Sequence, residues 1–191
     1  MNLPNILTLS RFFWTILFLA LLGKNSLSAT IWAAVVFTVA ALTDLLDGYI
    51  AKKKDLITDF GKIMDPVADK FLILSAFMMF VQLGVIQAWM VLFISIREIA
   101  VTCSRIMRMR RGQVLAAEKA GKIKTVFQMV SVSVVLLFLI LEKSDLSMNW
   151  SQSIESGWGI AINTLMLITV LLTVNSGVSY FLTLRKNAVS L

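Results

Sequence analysis

Phe71-Leu-Ile-Leu-Ser-Ala-Phe-Met-Met-Phe80-Val-Gln-Leu-Gly84-Val-Ile-Gln87-Ala-Trp89-Met-Val-Leu-Phe-Ile-Ser-Ile96 runs for 26 residues without a charge. A bilayer-spanning helix needs about 20 mostly apolar residues. One straight helix across this run would also carry Arg97 and Glu98 at its end. Gly84, between Gln82 and Gln87, is the natural place for a break. The stretch therefore reads as two helices, 60–82 and 87–109, with Arg97 and Glu98 inside the second. That reading makes the helix count even.

Outward from this hairpin, further uncharged runs cover 25–43, 125–141 and 156–184, with 19, 17 and 29 residues. The segment 5–23 joins them if Arg11 sits near an interface. The expectation is six helices, near 5–23, 28–50, 60–82, 87–109, 120–141 and 158–184. The composition agrees: 58% of the 191 residues are hydrophobic and 15% charged, and the mean hydropathy is +0.84. Soluble domains are closer to half apolar and one quarter charged. The predicted class is an all-α integral membrane protein. No linker or repeat divides residues 1–191, so one membrane-embedded domain is expected. The N-terminal run has no basic segment before it and no small-residue cleavage site, which argues against a signal peptide.

Lys and Arg set the orientation. With the N-terminus cytoplasmic, 15 of the 18 cations fall on the inner side, only Lys24 and Lys143 fall outside, and Arg97 is within a helix. Both termini are then cytoplasmic, and the site is expected on the inner face of the membrane. The net charge of +7 becomes a one-sided feature that attracts anionic headgroups or substrates. No soluble basic domain exists to bind nucleic acid.

There is no histidine and a single cysteine, Cys103. Imidazole bases, thiolate clusters and internal disulfides are excluded. Cys103 is expected to be a small buried residue. Chemistry falls to carboxylates, cations and hydroxyls. Six of the 11 acids lie between 44 and 69: Asp44, Asp47, Asp55, Asp59, Asp65 and Asp69. Asp44 and Asp47 are i, i+3, and Asp65 and Asp69 are i, i+4, so each pair shares a helix face. A short basic loop, 51–59, makes the two helices antiparallel neighbours. Four carboxylates converging in a low dielectric need cations to neutralise them. Hard oxygen ligands without histidine or thiolate select Mg²⁺ or Mn²⁺, and two ions suit a phosphoryl centre. The competing reading is helix capping, with Asp65 as N-cap before Pro66 at the first helical position.

These residues carry a resemblance. Asp44-x-x-Asp47-Gly48-x-x-Ala51-Lys52, followed by Gly61-x-x-x-Asp65-x-x-x-Asp69, resembles the signature of the CDP-alcohol phosphatidyltransferases. Seven of its eight fixed positions are met. Lys52 stands where the family has Arg, which keeps the charge and loses the bidentate fork. The flanking segments, from Asn2 to Arg11, Asp65 to Lys70, Arg97-Glu98-Ile99 and Gly121 to Gln128, are similar to the phosphatidylglycerophosphate synthase branch. The resemblance thus covers almost the whole chain.

It implies transfer of a phosphatidyl group from CDP-diacylglycerol to sn-glycerol 3-phosphate, with release of CMP. It implies Asp44, Asp47 and Asp65 on one metal ion, and Asp44, Asp65 and Asp69 on a second. It further implies Asp69 as base, and Asn5, Thr8, Asp44, Asp47, Gly48, Ala51, Lys52, Thr58 and Gly61 around the CDP-diacylglycerol. A homodimer is implied as well. Charges inside apolar helices are costly and usually functional. Arg97 is such a charge, Arg105 shares a face with Glu98 seven residues before it, and Lys122 and Lys124 begin the fifth helix beside Gly121, where interfacial snorkelling is their bland reading; these four are the candidates for the acceptor phosphate. The bland alternative for Arg97 and Glu98 is a structural ion pair. Cardiolipin synthase is the alternative within the family, and a cation transporter using the carboxylates is the remote one.

Overall fold

A computed structural model describes the backbone of residues 3–54, 59–110, 119–145 and 150–189, and the side chains of 10–43, 70–108, 121, 123–145 and 150–185. Among the described residues there are six helices and no strands. They are α1 (Leu3–Leu22), α2 (Leu27–Lys54), α3 (Asp59–Gln82), α4 (Ala88–Arg110), α5 (Lys119–Glu142) and α6 (Gln152–Val189).

The break in the long apolar run falls at Gly84. Its φ of 76° is left-handed, a conformation that costs most residues but not glycine. Val85 N–H donates to Phe80 C=O at 3.0 Å and Gly84 N–H to Val81 C=O at 3.0 Å. This pair of bonds is a Schellman cap, which satisfies carbonyls that the end of α3 would leave open. The α1–α2 turn uses Asn25 in the same left-handed region, and Ser26 Oγ then accepts from Ala29 N–H at 3.4 Å as the N-cap of α2.

Helix limits differ from the expectation at the end of α2 and at both ends of α6, which runs on to Val189. α2 continues past residue 50 to Lys54, because Ala51 and three lysines are good helix formers once the chain has left the apolar region. α6 begins at Gln152 rather than near 158. Ser151 C=O accepts from Ile154 N–H at 2.9 Å, and Glu155 in the first turn complements the helix dipole. α3 begins at Asp59, so Pro66 is its eighth residue. The reading of Asp65 as an N-cap before a first-turn proline is thereby overturned.

One apolar core draws on all six helices. It includes Phe18 and Leu22 of α1, Phe37 of α2, Phe77 and Phe80 of α3, Ile94 of α4, Val132 of α5 and Met166 of α6. α1 packs on α2 and α3, α4 packs on α3 and α6, and α5 packs on α2, α3 and α6. The outer faces are apolar too: Ile16, Trp32, Met78, Leu92, Val126 and Ile160 are all exposed. A surface of this kind, repeated on every helix, far exceeds the apolar patches of soluble monomers. Residues 123–142 and 152–185 are long and apolar enough to cross a membrane, and 10–22, 27–43 and 70–82 are shorter apolar helical segments. Some buried hydroxyls close on the backbone, as Thr15 does on Arg11 C=O at 2.8 Å and Ser131 on Phe127 C=O at 2.8 Å. Such local bonds satisfy polar groups that water cannot reach.

Candidate functional site

The acidic signature lies on two consecutive helices. Asp44, Asp47, Gly48, Ala51 and Lys52 are in α2, and Gly61, Asp65 and Asp69 are in α3. Asp44 is ten residues before the end of α2 and Asp69 ten after the start of α3. At 1.5 Å per residue both stand about 15 Å from the connection. Asp47 and Asp65, seven and six residues away from it, are each about 10 Å distant. Asn5 and Thr8 fall in α1 and Lys122 in α5. The side chains of all these residues lie outside the described ones, as does Thr58 altogether.

The described side chains place a second charged group beside this signature. Glu98, in the middle of α4, is 2% exposed. Lys124 of α5 donates to its Oε1. Arg97 Nη1 reaches the same oxygen at 3.3 Å, and Gln128 Nε2 donates to it at 3.2 Å. Lys70 Nζ of α3 pairs with Oε2 at 3.3 Å and donates to Thr102 Oγ1. Three helices thus meet at one carboxylate. The spacing explains the convergence: Glu98 and Thr102 are i, i+4 on α4, and Lys124 and Gln128 are i, i+4 on α5.

Arg97 is fixed from a fourth helix. Its Nη2 donates to Ser176 Oγ of α6 at 2.8 Å. The next residue is Gly177, where a Cβ would stand 2.9 Å from Arg97 Cγ. The missing side chain lets the arginine stem lie against α6. Val101, Tyr180 and Leu184 close the contact below it.

Among the described side chains, three cations face one carboxylate here. Lone buried charges are costly, and a paired cluster is tolerated only when its donors and acceptors are met. The side chains of Arg97, Lys124 and Glu98 are 10%, 7% and 3% exposed, but that of Lys70 is 27% exposed. The cluster therefore opens on the Lys70 side, next in sequence to Asp69. Ammonium and guanidinium groups so arranged can hold a phosphate through charge-assisted hydrogen bonds. Arg105 is exposed, one turn beyond Thr102 on the Glu98 face, and within electrostatic reach of Lys70.

Of the four cations expected around an acceptor phosphate, Arg97 and Lys124 are brought together, Arg105 lies toward the rim, and Lys122 is outside the described side chains. The Arg97–Glu98 pair exists but is one arm of a larger group. Lys70, Thr102, Gln128 and Ser176 were not among the expected site residues. Lys70 reads as one more inner-side cation. The available signal for Gln128 is its place four residues after Lys124. Cys103 is exposed rather than buried. It shares the outer face of α4 with Ile99 and Met107, four residues to either side, and so turns away from the cluster.

Comparison with known proteins finds relatives along most of the chain. A Bacillus subtilis CDP-diacylglycerol–glycerol-3-phosphate 3-phosphatidyltransferase is 40% identical over 148 residues, covering 71% of this chain and 77% of that protein. A probable phosphatidylglycerophosphate synthase of Mycobacterium tuberculosis is 35% identical, with 94% and 79% covered. A Rickettsia felis CDP-diacylglycerol–glycerol-3-phosphate 3-phosphatidyltransferase is 31% identical, with 97% and 96% covered. The sequence profile of the CDP-alcohol phosphatidyltransferases matches residues 1–175. The chain belongs to the CDP-alcohol phosphatidyltransferase family.

Proposed function

We propose that this chain transfers the phosphatidyl group of CDP-diacylglycerol to sn-glycerol 3-phosphate, giving phosphatidylglycerophosphate and CMP. The observation that carries the reading is the Glu98 cluster, whose surplus positive charge opens beside Asp69. It supports a phosphorylated acceptor over serine. The names of the relatives point to the same acceptor.

The six helices span a bacterial cytoplasmic membrane with both termini inside. The apolar outer faces support this, as does the placement of Lys and Arg. The site then lies at the inner face, where a lipid and a soluble dianion can both arrive. A homodimer belongs to the same reading.

Asp44, Asp47, Asp65 and Asp69 would hold two divalent ions, Mg²⁺ or Mn²⁺. The four carboxylates fit that role by donor type and by their matched distances from the α2–α3 connection. Bound there, such ions neutralise the pyrophosphate and stabilise the leaving CMP. Asn5, Thr8, Lys52 and Thr58 contact the nucleotide and its phosphates, and Gly48, Ala51 and Gly61 leave room for it. Arg97, Arg105, Lys122 and Lys124 hold the acceptor phosphate. Asp69 takes the proton of the acceptor hydroxyl. The hydroxyl oxygen then bonds to the lipid-side phosphorus as the bond from that phosphorus to CMP breaks.

A cation pathway is disfavoured by charge, since the carboxylate in the middle of α4 is faced by three cations. The deciding experiment is CMP release by the purified protein with CDP-diacylglycerol and a panel of acceptors. Release with sn-glycerol 3-phosphate is expected. Release only with serine, or only with phosphatidylglycerol as in a cardiolipin synthase, overturns the assignment.

A further inference from the structure

Glu98 touches no expected substrate group, yet it collects donors from α3, α4 and α5 at two buried oxygens. Lys70, Arg97 and Lys124 repel one another, and it is the shared carboxylate that holds them in one place. The donor count is informative. Each ammonium has three N–H bonds. Lys70 donates one to Thr102 and faces Glu98 Oε2 as an ion pair at 3.3 Å, and Lys124 donates one to Glu98. Among the described residues, one N–H of Lys70 and two of Lys124 remain for a ligand.

We infer that Glu98 is the positioning residue of the acceptor pocket: it fixes Lys70, Arg97 and Lys124 as one preorganised fork for a phosphate monoester dianion, with Lys70 as a further contact to that phosphate. The inference rests on the reading that these cations hold the acceptor. The fork enters from the Lys70 side, where exposure is greatest. Glu98 keeps the lysines apart from each other and aimed at one point. Gln128 adds a third donor to Oε1 beside Lys124 and Arg97, which restrains rotation of the carboxylate.

The test is steady-state kinetics of the purified full-length chain in mixed micelles, with sn-glycerol 3-phosphate and CDP-diacylglycerol varied in turn. Glu98→Gln should raise the acceptor KM by about tenfold or more while the KM for CDP-diacylglycerol moves less than about twofold. Glu98→Asp keeps the charge on a shorter stem and should recover part of the loss. Lys124→Gln should raise the acceptor KM by a similar factor, about tenfold. If Lys124→Gln raises it and Glu98→Gln does not, the role of Glu98 is refuted and the acceptor site stands. If neither changes it, the acceptor site itself is wrong. A uniform fall in kcat with both KM values unchanged would mark Glu98 as merely structural. Should Glu98→Gln fail to fold, Gln128→Met removes one donor to Glu98 at nearly constant volume. It should raise the acceptor KM by about two- to fivefold and leave the donor KM alone; an unchanged acceptor KM in that variant overturns the inference.

Discussion

Gly177→Ala tests whether the packing of Arg97 against α6 matters. The new Cβ would stand 2.9 Å from Arg97 Cγ, 3.2 Å from Nε and 3.6 Å from Cδ. Carbon atoms prefer roughly 3.5–4.0 Å, so the stem must retreat by about 0.6 Å or more. Arg97 has little freedom to do so, since its guanidinium is held by Ser176 at 2.8 Å and Glu98 at 3.3 Å. Overpacking of this kind costs about 1–3 kcal/mol. Alanine in a helix interior returns up to about 1 kcal/mol relative to glycine. Gly159→Ala supplies the control, because it lies in the same helix and a Cβ there meets nothing within 4 Å. The difference between the two variants isolates the clash. At roughly 2–4 °C per kcal/mol for a chain of this size, Gly177→Ala should unfold roughly 2–12 °C below Gly159→Ala. The assay is thermal unfolding in detergent followed by tryptophan fluorescence, with the acceptor KM measured in parallel. Equal midpoints and equal kinetics would refute the packing argument.

Gly84→Ala forces a Cβ into the left-handed cap of α3 with no compensating contact; it should lower stability by about 1–2 kcal/mol, read as a lower unfolding midpoint. Chelation of divalent ions should abolish CMP release, and added Mg²⁺ or Mn²⁺ should restore it. Asp69→Asn should reduce kcat by about a hundredfold or more at saturating substrates, and retained turnover removes Asp69 as the base.

Apolar length, charge and one glycine were enough to read six helices. The 26-residue run divides at Gly84 because a polar pair and a residue free to adopt positive φ coincide there. Helix limits were less legible, since charge marks where an apolar solvent ends and not where a helix does. Lys52, Lys53 and Lys54 therefore extend α2 beyond residue 50. In the site, Arg97 was readable as a cation inside an apolar helix and Lys124 as one at the start of the fifth. Lys70 was not, because a lysine beside Asp69 looks like any inner-side charge. Thr102, Gln128 and Ser176 carry no charge, and their role depends on which helices meet, a long-range property that local spacing does not encode.

The outward turn of Cys103 gives the protein a native reporter. The only thiol in the chain sits on the far side of α4 from Thr102 and Glu98. A spectroscopic label attached there needs no engineered background. On the membrane-spanning reading proposed above, it samples the lipid at the level of the charged cluster without entering it. Quenching by lipids carrying probes at graded depths would then measure how far below the headgroups the chemistry takes place.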